Sequence, residues 1–206
     1  MSITPMFGWD NSQAPVAVEE GLTGVSFWPR AAARIIDLGV HYLVSVFCGI
    51  LFVMMLVVAS GGHVAPLVLA KLRHTGVTGF VFSLLGIVAY HVVFTTVHGS
   101  TVGKIIFSMV VVQEDGSPCR LKGAIVRELG YFVDALFFGI IGYMSMKRTP
   151  QEQRYGDEWA HTMVCKRSKV LPENLRHAER FVIGLLFALI ADAALIITSL
   201  LLLIAA

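Results

Sequence analysis

The chain has 206 residues, of which 56% are hydrophobic and 15% are charged, and its mean hydropathy of +0.74 excludes an ordinary soluble domain. The net charge of +2 says little about partners until the charges are assigned to the two sides of a membrane, and we expect no nucleic-acid partner. Cys48, Cys119 and Cys165 are scattered without a CxxC or Cys/His spacing, so neither a disulfide framework nor a metal site is predicted.

The first 25 residues are predicted to form a flexible cytoplasmic tail, because they mix glycine, proline, serine and acidic residues. The start of the chain does not resemble a signal peptide. Asp10, Glu19 and Glu20 stand where such a peptide would have a basic and then an apolar segment. We therefore expect the first membrane helix to be an uncleaved anchor.

Four long apolar stretches follow and define the fold class. Residues 38–60 and 76–102 contain no Asp, Glu, Lys or Arg, 129–146 contains only Asp134, and 181–206 contains only Asp192. A bilayer core of about 30 Å needs about 20 helical residues, so the chain is predicted to be an all-α membrane protein, a small bundle of three to four hydrophobic helices. Within a membrane domain at 26–170, helices are expected at about 31–59, 77–98 and 122–146.

The third stretch, 129–146, leaves two topologies open. As a re-entrant helical hairpin, broken near one of its glycines, it places fourteen Lys and Arg residues with the N-terminus on the cytoplasmic side and two on the other. As a conventional short span it divides them ten to six. The β-branched runs at 108–113 and 161–166 also favour the hairpin, since a short pair of strands would hold both ends of the stretch on one face. We therefore expect a multi-pass protein of the cytoplasmic membrane with a cytoplasmic N-terminus.

The last segment, 171–206, is predicted to be an additional transmembrane helix, with Pro172 at or near its first turn. Asp192 then lies about 16 Å into this helix, near the bilayer midplane. A carboxylate at that depth is a candidate functional residue. The alternative is a protonated Asp192, or one that is hydrogen-bonded to Ser or Thr of a neighbouring helix.

Ionisable residues also occupy one face of the first helix, because Arg30, Arg34, Asp37 and His41 recur at helical spacing. We expect Asp37 to pair with Arg34 or with a basic group of another segment. The face is either part of an ion or proton path, or a buried pair that fixes the register of the helix.

Two further side chains, His91 and Asp134, complete the candidate path. His91 and His98 lie seven residues apart on one face of the second helix. His91 or His41 together with Asp192 would make a proton relay. Asp134 follows Arg127 by seven residues, and we expect it to pair with Arg127 or with another helix-end arginine.

Enzyme and cofactor signatures are missing from the sequence. The segment GSTVGKI at 99–105 resembles a phosphate-binding loop, but its glycines are one residue too close and Ile105 replaces the required Ser or Thr. No nucleophile signature is found, and the histidines lack other support for haem binding. We expect neither catalysis nor a cofactor.

Three ordered blocks make the chain resemble the RDD family of prokaryotic membrane proteins. They are PRAAARIIDLGV (29–40), GSTVGKIIFSMVVVQEDGSPCRLKGAIVRELGYFVD (99–134) and QRYGDEWAHTMVCKR (153–167). By position, the resemblance implies that the family arginine is Arg34, its first aspartate is Asp37 and its second is Asp157, with Asp134 as an alternative. Glu158 and His161 depart from the family pattern, and the helix with Asp192 lies outside the blocks.

The resemblance implies a role in transport, since sodium–proton exchange has been attributed to some members. The first hypothesis is a secondary transporter that moves a cation or proton through a path lined by the carboxylates of Asp37, Asp157 and Asp192. The candidate residues of the ion or proton path are Asp37, His41, His91, Asp134 and Asp192. One protomer has few helices, so a homo-oligomer in the lipid bilayer is expected. The alternative is a non-transporting scaffold or assembly partner.

Overall fold

A computed structural model of the chain describes residues 22–63, 66 and 76–205. The structure is 72% helical. Its long helices are α1 (Phe27–Ala59), α2 (Gly76–Val97) and α7 (Glu179–Ala205). Between α2 and α7 lie α3 (Val102–Ile106), β1 (Met109–Gln113), α4 (Leu121–Asp134), α5 (Leu136–Arg148), α6 (Tyr155–Trp159) and β2 (Thr162–Lys166). The prediction of an all-α membrane protein is confirmed.

Three of these helices, α1, α2 and α7, are long and apolar enough to cross a membrane. Helices α2 and α7 pack through a core that includes Ile87, Tyr90, Phe94 and Ala188. The start of α7 differs from the prediction, because Pro172 opens a separate 3-10 turn (Pro172–Asn174) and the helix itself begins at Glu179.

The third apolar stretch is divided into two helices rather than continuing as one from 122 to 146. Phe137, Phe138 and Gly139 all have positive φ, at 52°, 59° and 87°. They interrupt the helix at the start of α5, just after α4 ends. The first turns of α5 return closely onto the end of α4, since a Cβ on Gly142 would lie 3.0 Å from the carbonyl oxygen of Asp134. Helix α4 is about 20 Å long at 1.5 Å per residue, and the helical part of α5 after the break is shorter, so neither arm can cross the bilayer core alone.

The strands β1 and β2 form an antiparallel pair in which Val111 faces Val164. Both faces of this strand pair are buried. One face packs against Ala33 and Ala124, and the other face packs against Val170. The predicted pair of short strands is therefore confirmed, and it brings the two ends of the α4–α5 segment to one side of the molecule.

Residues 22–25 also belong to this sheet region. Val25 donates its backbone N–H to the carbonyl oxygen of Val164 at 2.8 Å, and Gly24 forms an isolated bridge with Cys165. The rest of the predicted N-terminal tail, residues 1–21, lies outside the described residues.

Candidate functional site

Asp37 is enclosed by hydrogen-bond donors from α2 and from the start of α3. Its Oδ2 accepts a hydrogen bond from Thr101 Oγ1 at 2.6 Å, and its Oδ1 accepts from the backbone N–H of Gly103 at 2.8 Å and from the Tyr90 hydroxyl at 3.0 Å. His91 Nε2 lies 3.6 Å from Oδ2. Asp37 is 1% exposed, so these partners replace the water that it loses.

The segment that resembles a phosphate-binding loop thus holds a carboxylate of the chain itself. Thr101 is the residue before α3, and Gly103 is in the first turn of α3, where free N–H groups favour an anion. Glycine is required at 103 because a Cβ there would collide with the carbonyl oxygen of Ala33. This close approach brings the α3 amide to Asp37 on α1.

Of the two partners expected for Asp37, the described residues show the basic group of another segment, His91 of α2, and not Arg34. Arg34 instead pairs with Glu128 of α4, and its guanidinium stacks on the Tyr131 ring with the carbon 3.9 Å from the ring centre. Residues 34 and 37 are three positions apart on α1, and their side chains meet different neighbours. Glu128 was not predicted as a site residue.

Asp157 is the centre of a second buried cluster, in which three arginines converge on one carboxylate. Arg30 Nη1 lies 2.8 Å from Oδ2, Arg127 Nη2 lies 3.1 Å from Oδ1, and Arg154 Nε lies 3.5 Å from Oδ2. Burial alone would raise the pKa of Asp157, but the guanidiniums of Arg127, Arg154 and Arg30 outweigh it and hold that pKa well below its usual range. Asp157 is therefore a fixed negative charge at neutral pH.

Asp134 belongs to the neighbourhood of Asp157 and does not meet Asp37 or Asp192. It accepts hydrogen bonds from the backbone N–H groups of Tyr155 at 3.1 Å and Gly156 at 3.3 Å, and Arg154 Nε lies 3.9 Å away. The expected partner Arg127 is engaged with Asp157. Asp134 thus fixes the start of α6 against the end of α4.

Asp192 lies in a third polar group, at the crossing of α7 with α1 and α2. The Ser45 hydroxyl donates to Asp192, at 2.9 Å from Oδ2 and 3.1 Å from Oδ1, and His41 Nδ1 lies 3.8 Å from Oδ1. Gly86 makes room for this group, because a Cβ there would lie 2.8 Å from His41 Cε1 and 2.9 Å from Asp192 Oδ1. Ser45 and Gly86 were missed, although Ser45 stands one turn after His41.

The first and third groups form one line of ionisable side chains. The rings of His41 and Tyr90 are 6.3 Å apart, those of Tyr90 and His91 are 5.0 Å apart, and the Tyr90 hydroxyl donates to Asp37. His98 is directed elsewhere, with its Nδ1 at 3.1 Å from the carbonyl oxygen of Ser100. The line therefore runs from Asp192 through His41 and Tyr90 to Asp37.

Helix α4 shows how the membrane setting inverts the usual pattern of burial. Its inner face carries the polar side chains Arg127, Glu128 and Asp134, while Leu129 and Phe132 are exposed. Outward apolar residues and inward ionisable ones are typical of a helix in contact with lipid. Three spanning helices around such a polar interior define a small multi-pass helical membrane protein.

The family comparison makes this assignment more specific. The RDD family matches residues 25–161, so the chain belongs to the RDD family, as its motifs predicted. No curated protein and no solved structure matches the chain significantly. Asp37 and Asp157 lie inside the matched region, whereas Asp192 lies outside it.

Proposed function

We propose that the protein is a proton-coupled secondary transporter of a small cation, in which Asp192 binds and releases a proton and Asp37 ends the path. The observation that carries this proposal is the contact of Asp192, on the spanning helix α7, with Ser45 and His41 of α1. A carboxylate at membrane depth is costly unless it has a partner, and there it commonly marks an ion or proton path.

The partners of Asp192 favour exchange over a purely structural role. A serine hydroxyl and an imidazole can each donate or accept a hydrogen bond, so they can accommodate either protonation state of a carboxylate. Asp157, in contrast, is surrounded by Arg30, Arg127 and Arg154, which keep it charged. We therefore assign Asp157 and Asp134 to anchoring the cytoplasmic segments, not to the path.

The path continues from His41 to Asp37 through Tyr90, with His91 beside the carboxylate. The carboxylate and hydroxyl oxygens of Asp192 and Ser45 are the ligand type that hard cations prefer. The charge distribution favours a cytoplasmic N-terminus and sheet. In that orientation the path from Asp192 to Asp37 runs from the membrane interior toward the cytoplasmic face. A homo-oligomer would enclose the α1–α7 crossing, and no catalytic residue is assigned.

The experiment is cation-driven proton flux in proteoliposomes that contain a pH-sensitive dye, with sodium, potassium and lithium gradients tested in turn. We expect Asp192→Asn and Asp37→Asn to abolish the flux. Asp115→Asn is the matched control, because Asp115 is an exposed turn residue whose carboxylate accepts from the Ser117 backbone N–H. Correct folding is checked by gel filtration of each variant.

Two results would overturn the proposal. One is wild-type flux from the double variant Asp37→Asn/Asp192→Asn. The other is silence of the folded wild-type protein with every cation. The second result, together with recovery of a stable complex with a defined partner, would favour a membrane scaffold instead.

A further inference from the structure

A small cavity lies between α1, α3 and α4 at the boundary of the spanning region. Its volume is about 30 Å³, and it accommodates about two water-sized particles, since one needs about 10–15 Å³. Five cationic side chains line it: Arg30, Arg34, Lys104, Arg127 and Arg154. The carboxylates Asp37 and Glu128 line it as well. We call this space the arginine cavity.

The charges around the arginine cavity do not balance. Its five cations face four carboxylates, which are Asp37 and Glu128 in the lining and Asp134 and Asp157 directly behind it. With Lys104 protonated and the histidines neutral, one positive charge is left over. Uncompensated charge is costly in a site removed from water, so the cavity favours one additional negative charge.

Some hydrogen-bond donors of the residues that line the cavity lack an acceptor in the described part of the chain. Within the described residues, Arg34 Nε and Arg127 Nη1 are buried and have no hydrogen-bond partner. Arg127 is 3% exposed, so bulk water does not replace the missing partner. Lys104 Nζ has a hydroxyl 3.5 Å away, on Thr101, which itself donates to Asp37. Buried donors of this kind normally have an acceptor.

We propose that the arginine cavity binds one small monovalent inorganic anion, of which chloride is the representative. The single excess charge favours a monovalent ion, and the volume suits a spherical ion better than a tetrahedral phosphate or sulfate. Arg34, Lys104 and Arg127 would donate to it. This proposal does not depend on the transport proposal, because it requires no movement of protons or cations through the bundle.

The state of Lys104 agrees with an anion nearby. Burial and then the charge of Arg127 lower the pKa of Lys104 to about 7, with Arg34 adding to the repulsion, while Asp37 and Glu128 oppose it. A bound anion would raise that pKa, because it favours the ammonium form. By linkage, the anion is expected to bind more weakly as the pH rises above 7.

The test is an anion series on the purified full-length protein in nanodiscs, at constant sodium and ionic strength and at about one pH unit below the Lys104 pKa. Chloride and bromide are compared with gluconate, which is too large for the cavity, and with sulfate and phosphate. We expect a saturable rise in melting temperature, of about 3–6 °C at ten times Kd, with chloride and bromide alone. Broadening of the ³⁵Cl NMR signal reports the binding directly.

The diagnostic variant is Lys104→Met, which removes the excess charge without breaking an ion pair. It should weaken chloride binding by about tenfold or more. Lys147→Met is the matched control, since Lys147 is exposed on α5 and should leave binding unchanged. Asp192→Asn should retain the chloride response even if its flux is lost, which separates this proposal from the previous one.

Three outcomes contradict the proposal. Equal melting temperatures in chloride and gluconate would mean that the cavity holds only water. A larger effect of sulfate or phosphate would assign the site to a phosphoryl group, free or on a lipid headgroup. An unchanged chloride response in folded Lys104→Met would place the anion elsewhere. If Lys104→Met does not fold, the anion series on the wild type still decides between ion and water.

Discussion

Asp157→Asn removes the carboxylate on which the guanidiniums of Arg30, Arg127 and Arg154 converge, at 2.8, 3.1 and 3.5 Å. Asparagine keeps the shape of the side chain but leaves three buried cations facing one another. Breaking a buried ion pair by removing one partner costs about 3–5 kcal/mol, because the remaining charge stays desolvated. We expect a loss in this range, seen as a melting temperature lower by roughly 10 °C.

The neighbouring acid supplies the control. Glu158 pairs with Arg148 at 3.4 Å, but the Arg148 side chain is 57% exposed, so Glu158→Gln should cost about 0–1 kcal/mol. Thermal unfolding of both variants in the same detergent measures the difference. A loss for Asp157→Asn no greater than that for Glu158→Gln would refute the role of Asp157 as the electrostatic centre that joins α1, α4 and α6.

The pH dependence of the same variant follows from the lowered pKa of Asp157. A carboxylate whose pKa is lower in the folded protein contributes stability above its unfolded value, 3.8, and loses that contribution as the pH falls toward the folded value. The stability gap between wild type and Asp157→Asn should therefore be full at neutral pH and shrink below about pH 4. A gap that widens in acid would contradict this sign.

Two further predictions test local features. Gly103→Ala should destabilise the protein by about 1–3 kcal/mol or more, because the new Cβ would meet the Ala33 carbonyl. Gly39→Ala on α1 is the control, since a Cβ there has nothing within 4 Å and should be neutral or slightly stabilising. Equal melting temperatures of the two variants would refute the close approach at Gly103. Single cysteines at Ser117→Cys and Pro150→Cys, in a background without the native cysteines, should react with a membrane-impermeant reagent from the same side, and labelling from opposite sides would show that the third stretch crosses.

Local sequence pattern was sufficient to predict the three long helices and the pair of strands. Long uncharged runs predict α1, α2 and α7 because the hydrophobic thickness of a bilayer imposes a minimum length on any spanning helix. The β-branched runs predict β1 and β2 because side-chain stiffness favours strands. The break at Phe137 and Phe138 was harder to predict, since both adopt a left-handed conformation that these residue types rarely favour.

The local sequence pattern could not predict which ionisable side chains pair with one another. Helical spacing correctly puts Arg30, Arg34 and Asp37 on the inner part of α1, but it cannot say which element each side chain meets. Arg34 turns to Glu128 on α4, and Asp37 is met by the turn around Gly103. Those partners are 94 and 66 residues away in the sequence, so only the tertiary fold decides between them.

Asp157 and Asp192 differ in the kind of partner that each one has. Asp157 is surrounded by arginines, whose charge does not change at physiological pH, so its own charge is fixed as well. Asp192 is met by a serine and a histidine, which tolerate both of its protonation states. The proposed proton exchange requires the second kind of environment, which Asp192 has where α7 meets α1. Ser45→Arg would give Asp192 the first kind of partner, and by this reasoning the fraction of that variant that folds should show no proton flux in proteoliposomes.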